Sequence, residues 1–253
     1  MTHVLALVTA KGGSGKTTLA RGLLGAADGR GLRTGFLDTD RTENTHRWAR
    51  RAHEQGHWSA DIEAYQATDP LEVDELVRDI VDAGDLDLLI VDTPGDASGI
   101  HEAMFGLGDL VLCPLNLTAE AVDTAVLTAN SHYRIRQGLE PGERIALFRG
   151  VINAVERDPA WPYRRQLIRL ESRDLVGDGE APPVERFPLL GTRIRRRTAY
   201  PEIEELGLLD RIIAAKLARR ERAGVGHLAE ARDEMARLLD ECLAIMDQAE
   251  ETA

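Results

Sequence analysis

Short apolar runs alternate with longer amphipathic stretches along this chain of 253 residues. The apolar runs show no clean alternation of apolar and polar positions, which is typical of strands that are buried on both faces of a sheet. Because helical stretches separate these runs, the pattern predicts parallel strands joined by crossover helices. We therefore expect an α/β fold with a doubly wound, mostly parallel sheet flanked by helices. The predicted strands cover residues 3–9, 34–37, 86–91, 110–114 and 145–153.

The amphipathic stretches predict the helices. The last of them carries one apolar stripe at helical spacing, and its simplest role is packing on the rest of the domain. A length of 253 residues suits one large α/β domain. We therefore expect residues 1–253 to form a single domain, with the C-terminal helices of 201–249 packed on it and a loop at 176–183. The predicted helices cover residues 17–27, 70–83, 120–136, 161–175, 201–223 and 227–248.

Composition narrows the class of protein. Hydrophobic residues make up 43% of the chain and charged residues 29%, which is the balance of an ordinary globular protein. No apolar run approaches the roughly 18–20 residues that a membrane span needs, and the first residues lack the pattern of a signal peptide. We expect a cytoplasmic protein without a membrane partner. Cys113 and Cys242 show no metal or redox spacing and are expected to be buried free thiols.

A glycine-rich segment follows the first predicted strand and precedes the first predicted helix. Residues 10–18 read AKGGSGKTT, and Ala10 stands where the general phosphate-loop pattern has glycine. Glycines let successive backbone N–H groups point at phosphate oxygens, and the following helix adds its positive N-terminus. We expect Lys16 to contact the β- and γ-phosphates and the Thr17 hydroxyl to bind Mg²⁺. The predicted nucleotide-binding residues here are Gly12, Gly13, Ser14, Gly15, Lys16, Thr17 and Thr18.

Lys11 is a second lysine in the same loop. It reaches the phosphates of its own loop less easily than Lys16 does, which favours a role toward a second subunit. The alternative for the whole segment is a glycine-rich turn with solvated lysines. The strand before it, the helix after it and the acids downstream favour the phosphate loop.

Acidic residues follow two of the predicted strands. Asp38 and Asp40 end the second strand, and Asp92 ends the most apolar one. Carboxyl ends of parallel strands meet at one edge of a sheet, so these acids are expected near the phosphate loop and are expected to serve one cation site. Asp92 fits the acid that holds Mg²⁺ through water, followed by a switch segment at 93–95. An aspartate just past a strand is also often only a helix cap.

The deviant loop, KGGSGKT at residues 11–17, resembles the deviant Walker A loop of the ParA/MinD family of P-loop ATPases. The resemblance implies that Lys11 crosses a dimer interface to the partner's ATP, so that the nucleotides are sandwiched between subunits until hydrolysis separates them. It also implies that Asp40 positions or activates the attacking water and that Asp38 lies in the magnesium shell. The implied catalytic residues are Lys11, Lys16 and Asp40, and the implied metal-binding residues are Thr17, Asp38 and Asp92.

Two later segments resemble the parts of this family that bind the base. Asn153, at the end of a predicted strand, corresponds to an adenine contact, and Pro188 to the loop that covers the base. Asn after a strand is also commonly just a turn residue. Residues 38–48 lack the Pro-Gln of plasmid ParA proteins, and together with 191–209 they look most like the ParA-like ATPases of conjugative and type IV DNA-transfer systems. Residues 154–186 depart from the resemblance.

The net charge of −12 argues against a protein that is basic all over. Basic side chains nevertheless cluster in the C-terminal region, where the resembling family binds DNA as ATP dimers. Clustered arginine neutralises phosphates without reading sequence. The alternative is a solvated or ion-paired face, with Glu202, Glu204 and Glu205 as available partners. The predicted DNA contacts are Arg193, Arg195, Arg196, Arg197, Lys216, Arg219 and Arg220.

The leading hypothesis is a slow ATPase whose ATP-bound homodimer binds DNA on the nucleoid. A ParB-like, relaxosome or other cargo protein would stimulate hydrolysis, and the output would be the location or recruitment of a DNA–protein complex. A MinD-like membrane ATPase needs a basic amphipathic C-terminal helix, whereas residues 227–253 are acidic. An iron–sulfur reductase needs paired cysteines, and Cys113 and Cys242 do not resemble such a pair. Two further hypotheses are a small-molecule enzyme built on the same loop and a nucleotide-gated binding module with negligible turnover.

Overall fold

Seven parallel strands form one sheet in the computed structural model, which describes residues 1–41, 44–95, 99–156, 160–171 and 187–252. The strands are β1 (His3–Leu7), β2 (Thr34–Asp38), β3 (Ile62–Gln66), β4 (Leu88–Asp92), β5 (Leu110–Leu115), β6 (Leu147–Val155) and β7 (Leu189–Arg195). Their spatial order is β3-β2-β4-β1-β5-β6-β7, and every neighbouring pair is parallel. The strand order reverses direction next to β1, so the predicted doubly wound sheet is confirmed.

Helices cover both faces of this sheet. One apolar core joins the sheet to the first two helices and the last three, and a second core joins its other face to the remaining helices. None of the helices among the described residues is both long enough and apolar enough to cross a bilayer. The helices are α1 (Lys16–Gly29), α2 (Asn44–Glu54), α3 (Pro70–Ala83), α4 (Gly99–Leu107), α5 (Ala119–Gln137), α6 (Trp161–Glu171), α7 (Ala199–Leu206), α8 (Leu209–Ala218) and α9 (Val225–Thr252).

The predicted helix at 201–223 is wrong, because the chain forms two helices there. Gly207 separates α7 from α8 and has φ of 118°, a conformation that favours glycine. A Cβ at this position would lie 2.8 Å from the carbonyl oxygen of His57. The turn therefore depends on close packing against the end of α2, a contact between distant residues that helical periodicity does not report.

Other differences lie at the edges of the fold. Strands β3 and β7 and helix α4 were not predicted, and both of those strands are edge strands whose residues are partly exposed. The predicted helix at 161–175 is α6 as far as Glu171, and its remainder lies outside the described residues, as does the predicted loop at 176–183. Cys113 and Cys242 are both buried free thiols, as predicted.

Helix α9 packs along α1 and also covers the exposed edge of β7. Its predicted apolar stripe is buried except for the partly buried Ile245, and Met235 lies directly over Gly22 of α1. The Glu241 carboxylate accepts hydrogen bonds from the backbone N–H groups of Gly191 (2.7 Å) and Thr192 (2.9 Å). Unpaired N–H groups at the edge of a sheet can pair with a strand of another chain. By accepting from these two N–H groups, the Glu241 carboxylate blocks such pairing at this edge.

Candidate nucleotide-binding site

The phosphate loop, residues 10–18, connects β1 to α1 and is shaped by its glycines. Gly13 and Gly15 have φ of 80° and 93°, which side chains with a Cβ rarely adopt. A Cβ on Gly12 or Gly13 would meet no atom within 4 Å, so the loop opens onto free space. The buried Ser14 hydroxyl has no hydrogen-bond partner among the described residues. A loop with a free concave side, an unpaired hydroxyl and a helix N-terminus fits a phosphate group.

The two lysines of this loop have different surroundings. Lys16 is buried, and its Nζ lies 3.5 Å from the carbonyl oxygen of Lys11, within the loop. The Lys11 side chain is 50% exposed, and its Nζ forms an ion pair with Glu120 in the first turn of α5. In this conformation only Lys16 is directed into the loop of its own chain.

Asp38 organises the chain between β2 and α2. Its carboxylate is buried and accepts hydrogen bonds from the backbone N–H groups of Asp40 (3.0 Å) and Thr45 (3.1 Å). Each of its two oxygens therefore already holds part of the loop. Asp38 is also the register partner of Asp92 on the adjacent strand, so the two carboxylates are neighbours at the carboxyl edge of the sheet.

Asp92 and Thr17 form the arrangement best suited to a cation. The Thr17 hydroxyl hydrogen-bonds to the Asp92 carboxylate, whose Oδ1 has no partner among the described residues. Burial raises the pKa of Asp92 to about 7, and Asp38 adds to the increase, whereas Thr17 and Lys16 oppose it. A carboxylate with an unpaired oxygen beside a hydroxyl suits Mg²⁺, which takes few protein ligands and completes its shell from phosphates and water.

The expectation that three acids serve one cation site stays a prediction. Among the described residues no three His, Cys, Asp or Glu side chains converge where they could hold a metal ion. The Asp38 carboxylate accepts from two backbone N–H groups, and the partly buried Asp40 lines a cleft with Pro94 and Gly95.

The predicted switch segment at 93–95 touches the phosphate loop. The Thr93 hydroxyl donates to the carbonyl of Leu7 (2.6 Å), which fixes the chain to the end of β1. A Cβ on Gly95 would lie 2.8 Å from the Gly12 Cα and 2.9 Å from its nitrogen. Only glycine fits this approach, so a group bound in the loop would lie against this segment.

The two predicted base contacts are placed differently. Asn153 lies at the carboxyl end of β6, and its Nδ2 donates to the carbonyl of Ser14 in the phosphate loop (3.0 Å). Pro188 precedes the first residue of β7, and its carbonyl accepts from Gly150 (2.8 Å). In folds of this kind ligands bind at the carboxyl ends of the parallel strands. Pro188 lies at the opposite, amino end of β7, and this position argues against the predicted contact with the base.

Most of the predicted DNA contacts have carboxylate partners. Arg193, Arg195, Arg196 and Arg197, here called the strand arginines, belong to β7 or directly follow it. The partners come from the end of α6, from the chain after β6 and from α9. Lys216, a predicted DNA contact on α8, also has a carboxylate partner, because its Nζ lies 3.5 Å from Glu202. The first three strand arginines pair as Arg193 with Glu171 (3.3 Å), Arg195 with Glu234 (3.9 Å) and Arg196 with Glu156 (3.7 Å).

Arg197 is the most deeply engaged of the strand arginines. Its side chain is 15% exposed and makes a bidentate pair with Glu234 at 2.9 and 2.7 Å, besides an ion pair with Glu230. The hydrogen bonds that Arg197 donates to Glu234 are the main reason why the pKa of Arg197 is raised. Glu234 also accepts from the Tyr200 hydroxyl (3.2 Å), so this pair ties α9 to the start of α7.

The arginines of the turn between α8 and α9 have a different environment. Arg219, Arg220 and Arg222, here called the turn arginines, are exposed and form no ion pair with any residue that the structure describes. Backbone hydrogen bonds hold the turn in place, and Arg220 has φ of 60°. A left-handed residue other than glycine is strained, and such strain is common at functional positions.

Sequence reasoning missed two residues next to this site. Glu120, the partner of Lys11, follows β5, the neighbour of β1 in the sheet, and this position was its available signal. Arg21 lies on α1 and is buried over the Trp48 ring, 4.9 Å from the ring centroid. Burial lowers the pKa of Arg21, and Glu204, Asp92 and Asp38 oppose this. Its position five residues after Lys16 was the only signal in the sequence.

Comparisons with known proteins place this geometry in a family. The model of the VirC1 protein family matches residues 2–248. A protein named virC1 from Rhizobium radiobacter is 26% identical over 207 residues, which are 82% of each chain. Its namesake from Rhizobium rhizogenes is 25% identical over 206 residues, 81% of this chain and 82% of that protein.

Solved structures share the fold at low sequence identity. Apo McdA from Cyanothece has a TM-score of 0.62 at 14% identity, covering 93% of this chain and 99% of that one. MinD from Pyrococcus horikoshii, complexed with Mg-ADP, has a TM-score of 0.58 at 16% identity, covering 97% and 99%. A putative plasmid partition protein from Borrelia burgdorferi, bound to AMPPNP, has a TM-score of 0.60 at 13% identity, covering 96% and 99%. The fold that the resemblance to the ParA/MinD family implies is confirmed.

Proposed function

This chain belongs to the VirC1 protein family, and from that premise we propose that it is an ATPase that dimerises around ATP. The dimer binds DNA without sequence preference and positions, segregates or recruits a DNA–protein complex in partition or conjugative transfer. The observation that carries the proposal is the contrast within one phosphate loop, where Lys16 is directed inward and Lys11 outward.

The residues of the phosphate loop fit ATP and Mg²⁺. The free concave side of the loop and the buried Ser14 hydroxyl suit phosphate oxygens, and Asn153 supports the loop from the side where the base would lie. Thr17 and Asp92 would hold Mg²⁺, with Asp38 behind them. When bound, the ion would neutralise phosphate charge during transfer to water. The nucleotide would be held by Gly12, Gly13, Ser14, Gly15, Lys16, Thr17, Thr18 and Asn153.

Asp40 is the proposed residue for the attacking water. It lines a cleft together with Pro94 and Gly95, directly beside the segment that touches the phosphate loop. Asp38 holds its backbone N–H, which positions the start of the turn. A carboxylate in this position can orient a water molecule and accept its proton.

Lys11 is the proposed contact to the nucleotide of a second copy. Its ammonium group lies at a groove that Gly12, Thr118 and Glu120 also line. To reach a partner's phosphates it must leave Glu120, and both side chains of that pair are at least half exposed. Exchange of an exposed partner costs little, so the pair is compatible with a lysine that changes partner on dimerisation.

The proposed DNA contact lies at the turn arginines. These side chains are exposed and without carboxylate partners among the described residues, whereas the strand arginines are paired. On a chain with a net charge of −12 such a patch gives local, salt-sensitive binding. A ParB-like or relaxosome protein is the proposed partner that stimulates hydrolysis.

A second candidate is a positioning ATPase whose cargo is a protein rather than DNA. The pairing of Arg193, Arg195 and Arg196 with carboxylates favours it, because each of these side chains would have to leave a carboxylate before it binds a phosphate. Absence of DNA retention by the wild type in Mg-ATP, although it dimerises with ATP, would support this candidate.

Sedimentation velocity tests the dimer directly. Wild type, Lys11→Ala and Asp40→Ala are measured with Mg-ATP, with Mg-ADP and without nucleotide, and fluorescent ATP titrations check binding. We expect a dimer only with ATP for the wild type, a monomer that still binds ATP for Lys11→Ala, and a dimer that persists without hydrolysis for Asp40→Ala. A Lys11→Ala variant that dimerises normally would contradict the proposal.

A further inference from the structure

Side chains of α2 and of the residues just after it bind the last turn of α7. A helix leaves its final carbonyl oxygens without partners inside the helix, and a following glycine or water usually satisfies them. Here the Gly207 N–H donates to the Ile203 carbonyl (3.0 Å), and side chains of α2 and of the residues just after it contact all four final carbonyls. The bonds run from Trp48 Nε1 to Ile203 (2.7 Å), from Arg51 Nη2 to Glu204 (3.1 Å), from Gln55 Nε2 to Glu205 (3.5 Å) and between His57 Nδ1 and Leu206 (3.0 Å).

The connection between α7 and α8 is held at the same place. The backbone N–H of Leu208 donates to the carbonyl of His57 (3.1 Å). Gly207 leaves no room for a side chain against Ala52 and His57. We name this set of contacts the α2–α7 clamp. Movement of α2 without α7 and α8 would break the buried hydrogen bond of Trp48, the part-buried contact of His57 and the bond from Leu208 to His57 together, which is unfavourable.

One end of the clamp begins at the nucleotide site. The Asp38 carboxylate holds the N–H of Thr45 in the first turn of α2, and the turn between them contains Asp40. Trp48 is fully buried and lies under Arg21 of α1, the helix that starts in the phosphate loop. A change in the position of the turn that contains Asp40 would therefore also move the first turn of α2.

The other end leads to the turn arginines. Helix α8 starts at the clamp and ends next to Arg219. Near its end Lys216 pairs with Glu202 of α7 (3.5 Å), and His227 of α9 contacts the same carboxylate (2.6 Å). Helices α7 and α8 are thus tied together at both ends, and the turn arginines move with them.

We propose that the α2–α7 clamp transmits the state of the nucleotide site to the turn arginines. Trp48 and Arg51 are positioning residues in this role, because they contact neither the phosphate loop nor the turn arginines. The inference rests on the proposed function for its DNA readout. The clamp itself joins α2, α7 and α8 whatever the cargo is, so it can be tested without DNA.

Hydrogen–deuterium exchange of the full-length protein tests the clamp. Amides of residues 199–218 are compared with Mg-ATP and with Mg-ADP in the wild type, in Trp48→Phe and in Arg51→Met. Trp48→Phe removes the indole N–H donor and keeps an aromatic ring in the core. Arg50→Met is the matched control, because the exposed Arg50 neighbours Arg51 and makes no hydrogen bond or ion pair with a described residue.

We expect ATP to change the exchange of 199–218 in the wild type and in Arg50→Met by at least threefold. We expect no change in Trp48→Phe and Arg51→Met, although ATP binding stays within twofold of the wild type. The ratio of DNA retention with ATP to retention with ADP should fall at least fivefold in the same two variants.

The outcomes separate the two proposals. A wild type whose exchange responds to ATP but that never retains DNA would end the DNA proposal and leave the clamp intact. A wild type without an ATP response in 199–218, or clamp variants with the full response, would overturn the clamp. If Trp48→Phe lowers the melting temperature strongly, the partly exposed Arg51→Met decides the question alone.

Discussion

The two arginine-rich segments of the C-terminal region differ in what surrounds their side chains. The strand arginines face carboxylates from α6, from α9 and from the chain after β6, and Arg197 is largely buried between Glu230 and Glu234. The turn arginines extend from a short connection between helices and have no such partners among the described residues. A paired guanidinium must first lose its carboxylate before it binds a phosphate, whereas an exposed one needs only to release counterions.

Arginines in the two segments therefore have different roles. The strand arginines hold α9 and α6 against the edge of the sheet, and the turn arginines provide the positive surface. The phosphate loop shows the same contrast on a smaller scale, between the buried Lys16 and the half-exposed Lys11. In both regions the side chains that are exposed and weakly held are those we propose to meet a second molecule.

The largest expected effect is on stability, for Arg197→Met. Removing this guanidinium leaves Glu234 buried without its bidentate partner, which costs about 3 kcal/mol of the free energy of unfolding. Chemical denaturation followed by circular dichroism measures it. Arg196→Met is the control, because its exposed pair with Glu156 is long (3.7 Å) and should change stability by less than about 0.5 kcal/mol. Equal losses in both variants would remove the distinction between buried and exposed arginines.

The next effect is on DNA retention, for Arg219→Gln with Arg220→Gln and Arg222→Gln. Loss of three phosphate contacts from each subunit should weaken ATP-dependent binding at least about 30-fold near 0.1 M salt and reduce the slope of log affinity against log salt by about 2.7 for each subunit that contacts DNA. Fluorescence anisotropy with duplex DNA at several salt concentrations measures both. The melting temperature should stay at the wild-type value, because these side chains have no partners to lose among the described residues. An unchanged slope would show that the turn does not contact phosphates.

A smaller effect is expected for Glu120→Gln. The variant frees Lys11 from an exposed ion pair, which is worth at most about 1 kcal/mol, so the ATP-bound dimer should tighten about threefold. Sedimentation equilibrium in Mg-ATP gives the dimer dissociation constant. Asp123→Asn, in the same helix and paired with Arg169, should leave that constant unchanged. A weaker dimer in Glu120→Gln would indicate that Glu120 supports the dimer rather than holding Lys11 back.

The smallest effect is expected for Arg195→Gln with Arg196→Gln. Both side chains already face carboxylates at 3.9 and 3.7 Å, so DNA affinity should change by less than about twofold under conditions where the turn variant loses far more. The anisotropy assay of the turn variant applies here too. A loss of DNA affinity as large as that of the turn variant would show that DNA binds at the strand arginines of β7.

The fold and the phosphate loop could be predicted because their signals are local. Apolar runs mark the central strands, and the spacing of Lys11, Gly12, Gly13, Gly15 and Lys16 marks the loop. Edge strands β3 and β7 lack this signal, because one side of each strand is partly exposed and carries charged residues.

Partners that are distant in the sequence could not be predicted. The pairs of Arg197 with Glu230 and Glu234 join β7 to α9, and no pattern within either segment specifies them. The use of Asp38 by backbone N–H groups and the position of Pro188 before β7 likewise depend on the register of neighbouring elements. Sequence identified which residues are charged, and the three-dimensional structure identified which charges are already balanced.

DNA retention measured in Mg-ATP and in Mg-ADP, for the wild type and the variant without the turn arginines, tests the central claim most directly. We expect the wild type to be retained with ATP and released with ADP, and the variant to be released in both while it still dimerises with ATP. Retention of the wild type to the same extent in both nucleotides, or retention of the variant at the wild-type level, would contradict it.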